Sequence, residues 1–246
     1  MSIRVPWQLD SDPAAPFPPA DTALREPDGL LAIGGDLQPE RLLRAYAGGI
    51  FPWSSPGEPL LWWSPDPRTV FDTAAFCLSR SNRRELRRHA WHLQVDSAFD
   101  AVIGQCAHIA RPGQRGTWID ADMLAAYRQL HRLGHAHSFQ VHGADGQLVG
   151  GLYGVSVGRM FFAESMFSAL PGASKLALAG ACHWLARWQM PLLDAQVHNP
   201  HLALLGAGSL PRRDFLHAIT GLCGQPGMVG NWQQRAGILD AASLLN

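Results

Sequence analysis

Phe161-Phe162-Ala163-Glu164-Ser165-Met166-Phe167 and, further along, Leu192-Leu193-Asp194-Ala195-Gln196 are the stretches on which the reading of this chain turns. Each predicts a buried strand whose C-terminal end carries polar groups that an apolar sheet does not otherwise tolerate. Asp194 and Gln196 are two apart, so a regular strand points both to one face. A carboxylate and an amide placed there are costly to bury unless both are hydrogen-bonded or the place is a site. Strand C-termini in sheets flanked by helices are where ligands collect. The plainer alternative is that the pair satisfies backbone groups of a nearby loop.

Working outward, these strands sit in a series. Upstream come strands at 136–141, 148–157 and 160–164, joined by turns at Ala144-Asp145-Gly146 and Gly158, the usual hairpin signal. Ser174 opens a helix to about Gln189 before the strand at 191–197, and a further helix spans about 199–205. On the other side lie a strand near 69–78, an Arg-rich helix at 81–89, a strand at 93–95, a helix from Ser97 to Cys106, and a helix from about 120 to 133. Strands mixed with flanking helices predict an α+β domain with one central sheet. Residues 1–20 are Pro-rich and extended. A short strand at Leu30–Ile33, a helix from Pro39 to Ala47 stopped by Gly48-Gly49, and an aromatic hairpin (Ile50–Trp53 with Leu61–Trp63) form a small N-terminal unit. Pro65 to Pro67 marks the boundary, giving a small domain over 1–66 and a larger one over 67–246.

Composition narrows the class. The chain has 246 residues, 47% hydrophobic and 16% charged, which suits a packed core and excludes disorder. Net charge is formally zero, yet nineteen of the twenty basic residues are Arg, with Lys175 the single Lys. Cys77, Cys106, Cys182 and Cys223 show no C-x-x-C spacing, and no secretion signal or membrane-length apolar run is present. These features predict reduced thiols in a cytoplasmic protein that does not engage membranes.

Two motifs invite chemistry that their context opposes. Gly154-Val155-Ser156-Val157-Gly158 matches a nucleophile elbow, but that device needs a helix after the turn and here a strand follows. His131, His135 and His137 cluster, as do His198 and His201, yet the first group straddles a helix end and a strand start and shares no common face for zinc. The run Arg80-Ser81-Asn82-Arg83-Arg84-Glu85-Leu86-Arg87-Arg88 is more informative. At helical spacing its five Arg form a guanidinium stripe that suits phosphate, because Arg offers paired donors matching the oxygens. The alternative is an ordinary solvated face. An acetyl-CoA-dependent transferase would share the strand and helix order, but would carry a Gly-rich pyrophosphate loop before the long helix. Ser168-Ala169-Leu170-Pro171-Gly172-Ala173-Ser174-Lys175 departs from it.

Eight blocks, in order, carry a family resemblance. They are Gly34-Gly35-Asp36-Leu37, Gly49-Ile50-Phe51-Pro52-Trp53, Trp62-Trp63-Ser64-Pro65-Asp66-Pro67-Arg68, Gly116-Thr117-Trp118-Ile119, Leu133-Gly134-His135-Ala136-His137-Ser138, Glu164-Ser165-Met166-Phe167-Ser168, Asp194-Ala195-Gln196 and Pro211-Arg212-Arg213-Asp214. Together, over about residues 20–216, the chain resembles the leucyl/phenylalanyl-tRNA–protein transferases. The resemblance implies a bacterial enzyme that takes Leu or Phe from its aminoacyl-tRNA and joins it to a protein beginning with Arg or Lys, marking that protein for degradation. It implies a small N-terminal domain beside an acetyltransferase-like (GNAT-type) domain, acting as a monomer. No metal, nucleotide or CoA cofactor is implied, because the ester on tRNA is already an activated donor.

The resemblance also assigns residues. Trp53, Trp118 and Phe161 would line an apolar pocket for the Leu or Phe side chain. The following helix would complete it with Ala181 and Leu185, where a bulkier aromatic is common in the family, leaving more room and bearing on whether Leu, Phe or Met is preferred. Gln196 would align the acceptor amine, positioned by Asp194, with Glu164 and Asp194 as partners for the acceptor's cationic side chain. Arg80, Arg83, Arg84, Arg87 and Arg88 would lie along the tRNA acceptor stem. A small-molecule N-acyltransferase of the same fold and a non-catalytic RNA-binding protein are the alternatives.

Overall fold

A computed structural model describes residues 5–108 and 117–245 of the chain. The N-terminal part comprises β1 (Trp7–Leu9), β2 (Leu30–Gly34), α1 (Pro39–Ala47), β3 (Phe51–Pro52) and β4 (Leu61–Trp63), whose strands form one sheet in the order β1-β2-β4-β3. Pro39 occupies the first turn of α1, where its missing N–H costs nothing. The remainder runs β5 (Arg68–Asp72), α2 (Arg80–Leu86), β6 (His92–Val95), α3 (Phe99–His108), α4 (Ala121–Arg132), β7 (Ala136–His142), β8 (Leu148–Val157), β9 (Met160–Ser168), α5 (Ala173–Arg187), β10 (Leu192–Gln196), α6 (Pro200–Leu204), β11 (Gly208–Leu210), α7 (Arg212–Cys223), α8 (Gln233–Ala236) and β12 (Leu239–Asp240). The eight strands from β5 onward make a second sheet in the order β11-β5-β10-β9-β8-β7-β6-β12. Every neighbour pair in it is antiparallel except β9 with β10.

That one parallel pair shapes the molecule. β9 and β10 are bonded only from Met160 opposite Leu192 to Phe162 opposite Asp194, and beyond that level they part. Both strands bulge there. On β9, Tyr153 of β8 faces Ser165 while Gly154 faces Ala163, so Glu164 is the extra residue; on β10, Val70 of β5 faces Asp194 while Thr69 faces Gln196, so Ala195 is extra. A bulge bends its strand and re-aims the side chains beside it. A cavity opens in the gap between the parted strands.

α5 covers one face of the large sheet. Its first turn seats against Gly150 of β8, where an added Cβ would lie 2.5 Å from that of Ala173, so only glycine admits the helix this closely. Phe71, Phe139, Phe161, Leu176, Trp184, Leu185 and Trp232 fill that layer. On the opposite face Tyr46, Phe51, Trp62, Phe99, Tyr127, Phe162 and Phe215 form a continuous core that includes both the N-terminal unit and the large sheet. The turn after β8 is a hairpin at Gly158 with φ of +59°, and a strand follows it, so Ser156 sits inside a β-hairpin rather than on a strand–helix elbow.

Several boundaries differ from expectation. β5 ends at Asp72, whose Oδ1 accepts from the N–H groups of Ala74 and Ala75 at 2.9 and 3.0 Å and turns the chain away from the sheet. α2 ends at Leu86, so Arg87 and Arg88 lie past its last turn and the five Arg do not share one helical stripe. The C-terminal segment, left unread from the sequence, is held by a buried cluster. Trp232 stacks on His137 at 3.4 Å between ring centroids and donates its backbone N–H to Asp96, which also accepts from the His137 ring. Burial pulls His137 below its ordinary pKa. His131 faces the Ala136 carbonyl at 2.7 Å, and no group of three or more His, Cys, Asp or Glu among the described residues could hold a metal ion. Cys77, Cys182 and Cys223 are free thiols; Cys182, like Cys106, is buried, and Cys77 is exposed. Among the described residues no helix is long and apolar enough to cross a membrane.

Candidate active site

A cavity of about 740 Å³ opens where β9 and β10 part. Phe51, Trp53, Trp118, Met166, Leu178 and Leu193 supply apolar wall, while Glu164 and Gln196 are its polar residues nearest the split. Trp53 is 41% exposed, and its ring tilts against Trp63 at 5.8 Å. Such a surface suits a branched or flat apolar guest with a polar head turned toward the strand ends.

Gln196 reaches the cavity through a strained backbone, with φ of +62° in the left-handed region. A residue with a Cβ holds that conformation only where its surroundings enforce it. Here Asp194 does so: its Oδ1 accepts the Gln196 backbone N–H at 2.9 Å. Asp194 itself is wholly buried and clasped by Arg68, whose Nε and Nη2 donate to Oδ1 and Oδ2 at 2.9 and 2.7 Å. The third Arg68 nitrogen, Nη1, donates to the Gly49 carbonyl at 2.9 Å, and the guanidinium lies against the rings of Phe51 and Phe215. Asp194 therefore fixes the backbone of Gln196, and its carboxylate is spent inside the sheet. It does not reach the cavity as a partner for a cation, which corrects the expectation that it shares a face with Gln196. The bulge breaks the period of two on which that expectation rested.

The Gln196 side chain crosses the gap and donates from Nε2 to Glu164 Oε1 at 2.7 Å. Two phenols meet the same carboxyl group, Tyr46 at 2.8 Å from Oε1 and Tyr127 at 2.7 Å from Oε2. Burial pushes Glu164 up to about 7, while the hydrogen bonds from Tyr127, Tyr46 and Gln196 pull the other way. Burial and the neighbouring Glu164 raise both phenols well above the usual tyrosine range.

The structure brings together Trp53, Trp118, Glu164 and Gln196, but three expected pocket residues lie elsewhere. Phe161 has no exposed surface and packs in the α5 layer against Phe139 and Trp232. Successive strand residues point to opposite faces, so Phe162 turns toward the Tyr46 side and Phe161 toward the helix. Ala181 and Leu185 are likewise fully buried in that layer, and the α5 residues that reach the cavity are Ser174 and Leu178, nearer its N-terminus. Phe51, Tyr46, Tyr127 and Arg68 went unread as site residues, although Phe51 and Arg68 stand inside the quoted blocks. The loop Arg111–Gly116 lies outside the described residues.

Arg80, Arg84, Arg87 and Arg88 are exposed and Arg83 is half-buried. α2 is joined to the cavity rim, since Lys175 Nζ donates to Asn82 Oδ1 at 2.9 Å and its neighbour Ser174 lines the cavity. Arg87 donates to the Leu245 carbonyl, so its guanidinium is partly engaged with the C-terminal tail.

Fold and site together have the makings of an enzyme that moves an acyl group, and comparison with known proteins supplies the kind: the chain is an aminoacyltransferase. The model of the leucyl/phenylalanyl-tRNA protein transferase family matches residues 70–220, and that of the family's N-terminal domain matches residues 35–66. A leucyl/phenylalanyl-tRNA–protein transferase of Xanthomonas axonopodis pv. citri (strain 306) is 57% identical over 245 residues, covering 99% of this chain and 98% of that protein. One of Xylella fastidiosa (strain M23) is 55% identical over 228 residues, covering 92% and 93%. The chain belongs to the leucyl/phenylalanyl-tRNA–protein transferase family. Among solved structures, L-PGS from Bacillus licheniformis gives a TM-score of 0.39 at 10% identity, over 69% of this chain and 53% of that one, too slight a likeness to argue from.

Proposed function

We propose that the chain transfers a leucyl or phenylalanyl group, with methionyl as a further donor, from the 3′ end of aminoacyl-tRNA to the α-amine of a protein beginning with Arg or Lys. The observation that carries this reading is the 2.7 Å contact between Gln196 and Glu164 in the gap between β9 and β10, beside an apolar wall. The donor side chain lies against Trp53, Trp118 and Leu178, placing its ester carbonyl toward the strand ends. The acceptor's guanidinium or ammonium goes to Glu164, a charge-assisted partner. Gln196 then orients the neutral α-amine. The amine nitrogen forms a bond to the ester carbon, the bond to the ribose oxygen breaks, and the proton lost by nitrogen ends on that oxygen. A carboxamide is a weak base, so its part is alignment, and alignment of an activated ester supplies much of the acceleration.

The cationic approach for the acceptor stem runs over Arg80, Arg83, Arg84 and Arg88, joined to the cavity rim through Asn82 and Lys175. We assign the body from residue 67 to 246 to the acetyltransferase-like (GNAT-type) folds and the first 66 residues to a separate small domain. An antiparallel meander, a helix and a parallel strand that splays from its neighbour support the first. Two distinct sheets support the second, although the two parts share a core. The setting that goes with this reading is the bacterial cytoplasm, with the enzyme monomeric and its product marked for degradation.

The test mixes the protein with radiolabelled leucyl-tRNA and an acceptor beginning with Arg. Label is expected in acid-insoluble protein, falling on the order of 100-fold with Gln196→Ala. Binding of charged tRNA without transfer would point to a non-catalytic RNA-binding protein. Transfer from acyl-CoA alone would point to a small-molecule N-acyltransferase.

A further inference from the structure

Glu164, Tyr46 and Tyr127 present a counting problem in protons. Glu164 Oε1 lies 2.8 Å from Tyr46 Oη, Oε2 lies 2.7 Å from Tyr127 Oη, and the two phenol oxygens are 2.7 Å from each other. All three separations are hydrogen-bond distances between oxygens. An ionised carboxylate contributes no proton, so two phenol hydrogens must serve three contacts, and one pair of oxygens faces lone pair to lone pair. A neutral carboxylic acid contributes the missing hydrogen. Each contact in the ring then holds one, and the Gln196 amide still donates to Oε1 at 2.7 Å.

We propose that Glu164 sets the acceptor specificity of the cavity: enclosed in a hydrogen-bonded ring with Tyr46 and Tyr127 it rests as a neutral acid while the cavity is empty, the carboxylate appearing only when a cationic acceptor residue takes the place of its proton. This deepens the proposed activity and rests on it for the identity of the cation. On arrival of a guanidinium or ammonium group the Glu164 O–H bond breaks, the proton passes to water, and the new cation supplies donors and charge in its place. No electrons move. A neutral N-terminal residue offers nothing in exchange, so it leaves the ring closed.

The surroundings agree with this division of labour. Glu164 is approached by Tyr46 from α1, Tyr127 from α4 and Gln196 from β10. Tyr153 of β8 meets Tyr127 edge-on at 5.5 Å. Asp194 adds a like charge that favours the neutral acid, and Arg68, the nearby cation, is committed to Asp194. Burial raises Glu164 and the hydrogen bonds from Tyr127, Tyr46 and Gln196 lower it, leaving it at about 7, within reach of an incoming cation. Tyr46 and Tyr127 are thus positioning residues that act through Glu164.

The experiment follows the Glu164 carboxyl carbon by NMR in protein labelled with ¹³C at glutamate, the signal assigned by its loss in Glu164→Gln. In the free wild-type protein the carboxyl is expected to titrate near neutrality. With a saturating dipeptide amide beginning with Arg, the midpoint should fall by more than one pH unit, and with the citrulline analogue it should not move. In Tyr127→Phe the free midpoint should rise, and KM for an Arg-starting acceptor at pH 7 should increase about tenfold with kcat little changed. A free Glu164 titrating in the ordinary carboxylate range, with normal transfer to Arg-starting proteins, would overturn the inference and leave the activity standing. A neutral-range midpoint indifferent to the Arg peptide would also overturn it. Absence of transfer from charged tRNA would overturn the activity itself, whatever the titration shows.

Discussion

Arg68 and Asp194, 126 residues apart in sequence, are locked by two hydrogen bonds in a fully buried ion pair, and that pair holds the backbone of Gln196. Burying both charges is expensive, and the expense is met by the short bidentate geometry and by the Gly49 carbonyl accepting from the third guanidinium nitrogen. Breaking one side leaves the other charge stranded. Asp194→Asn is expected to destabilise the fold by about 3–5 kcal/mol, read as a lower urea midpoint with unchanged slope. Arg68→Met combined with Asp194→Leu should recover most of that stability but none of the transfer activity, because Gln196 loses the acceptor that holds its N–H. A double variant as active as wild type would show that Gln196 needs no such support.

α5 offers a test of where the donor pocket ends. Leu178 lines the cavity while Ala181, less than one turn on, is buried between helix and sheet. Leu178→Phe is expected to narrow the pocket, lowering kcat/KM for a phenylalanyl donor about tenfold more than for a leucyl donor. Ala181→Phe should instead overpack the core, costing about 1–3 kcal/mol with donor preference nearly unchanged. Side-by-side rates with the two charged tRNAs decide between them. A preference switched by Ala181→Phe alone would return Ala181 to the pocket.

The cationic approach makes a graded prediction. Arg84 and Arg88 are exposed, whereas Arg87 donates to the Leu245 carbonyl. Replacing Arg84 or Arg88 with Ala should reduce the salt slope of tRNA binding by about one, with affinity falling uniformly across tRNA sequences. Arg87→Ala should act less through salt dependence and more through loosening the C-terminal tail. Equal slopes for all three variants and wild type would move the acceptor stem to another surface.

The limits of sequence reading show in particular residues. Hydrophobic runs and hairpin turns made the meander of β7, β8 and β9, the long helix and the parallel return strand legible, since those signals are local. The two bulges were not, because a bulge leaves no periodic trace; so the period of two placed Asp194 in the cavity when it lies inside the sheet. Phe161, assigned through the resemblance, faces α5, and Phe162 beside it faces Tyr46, so neither lines the cavity. Tyr46, 118 residues before Glu164, and Tyr127, 37 before it, read as core aromatics on their helices. Only the packing of α1 and α4 over the same sheet face turns their hydroxyls to one carboxyl group. Arg68 stood in a quoted block without a role, because its partner lies at the other end of the domain.

Glu164 also leaves a mark on stability that can be read without any substrate. Its acid is raised from an ordinary value of 4.5 to about 7 in the folded protein, chiefly by burial. Between those values the native state keeps a proton that the unfolded chain has released, so unfolding becomes easier as pH rises. The contribution is whole below about pH 4.5 and is lost as pH climbs through about 7. For a fully enclosed group the loss would be about 3 kcal/mol or slightly more, and the part of Glu164 that opens on the cavity reduces it. His137 works in the opposite direction: its lowered pKa makes the fold gain stability as pH rises through the histidine range. The difference between wild type and Glu164→Gln isolates the carboxyl group, since the amide keeps its shape and cannot titrate. Urea midpoints at half-unit steps from pH 4.5 to 8 should show wild type losing ground to the variant across that window, with the curves parallel above it. Curves parallel throughout would mean that Glu164 carries the same charge folded and unfolded.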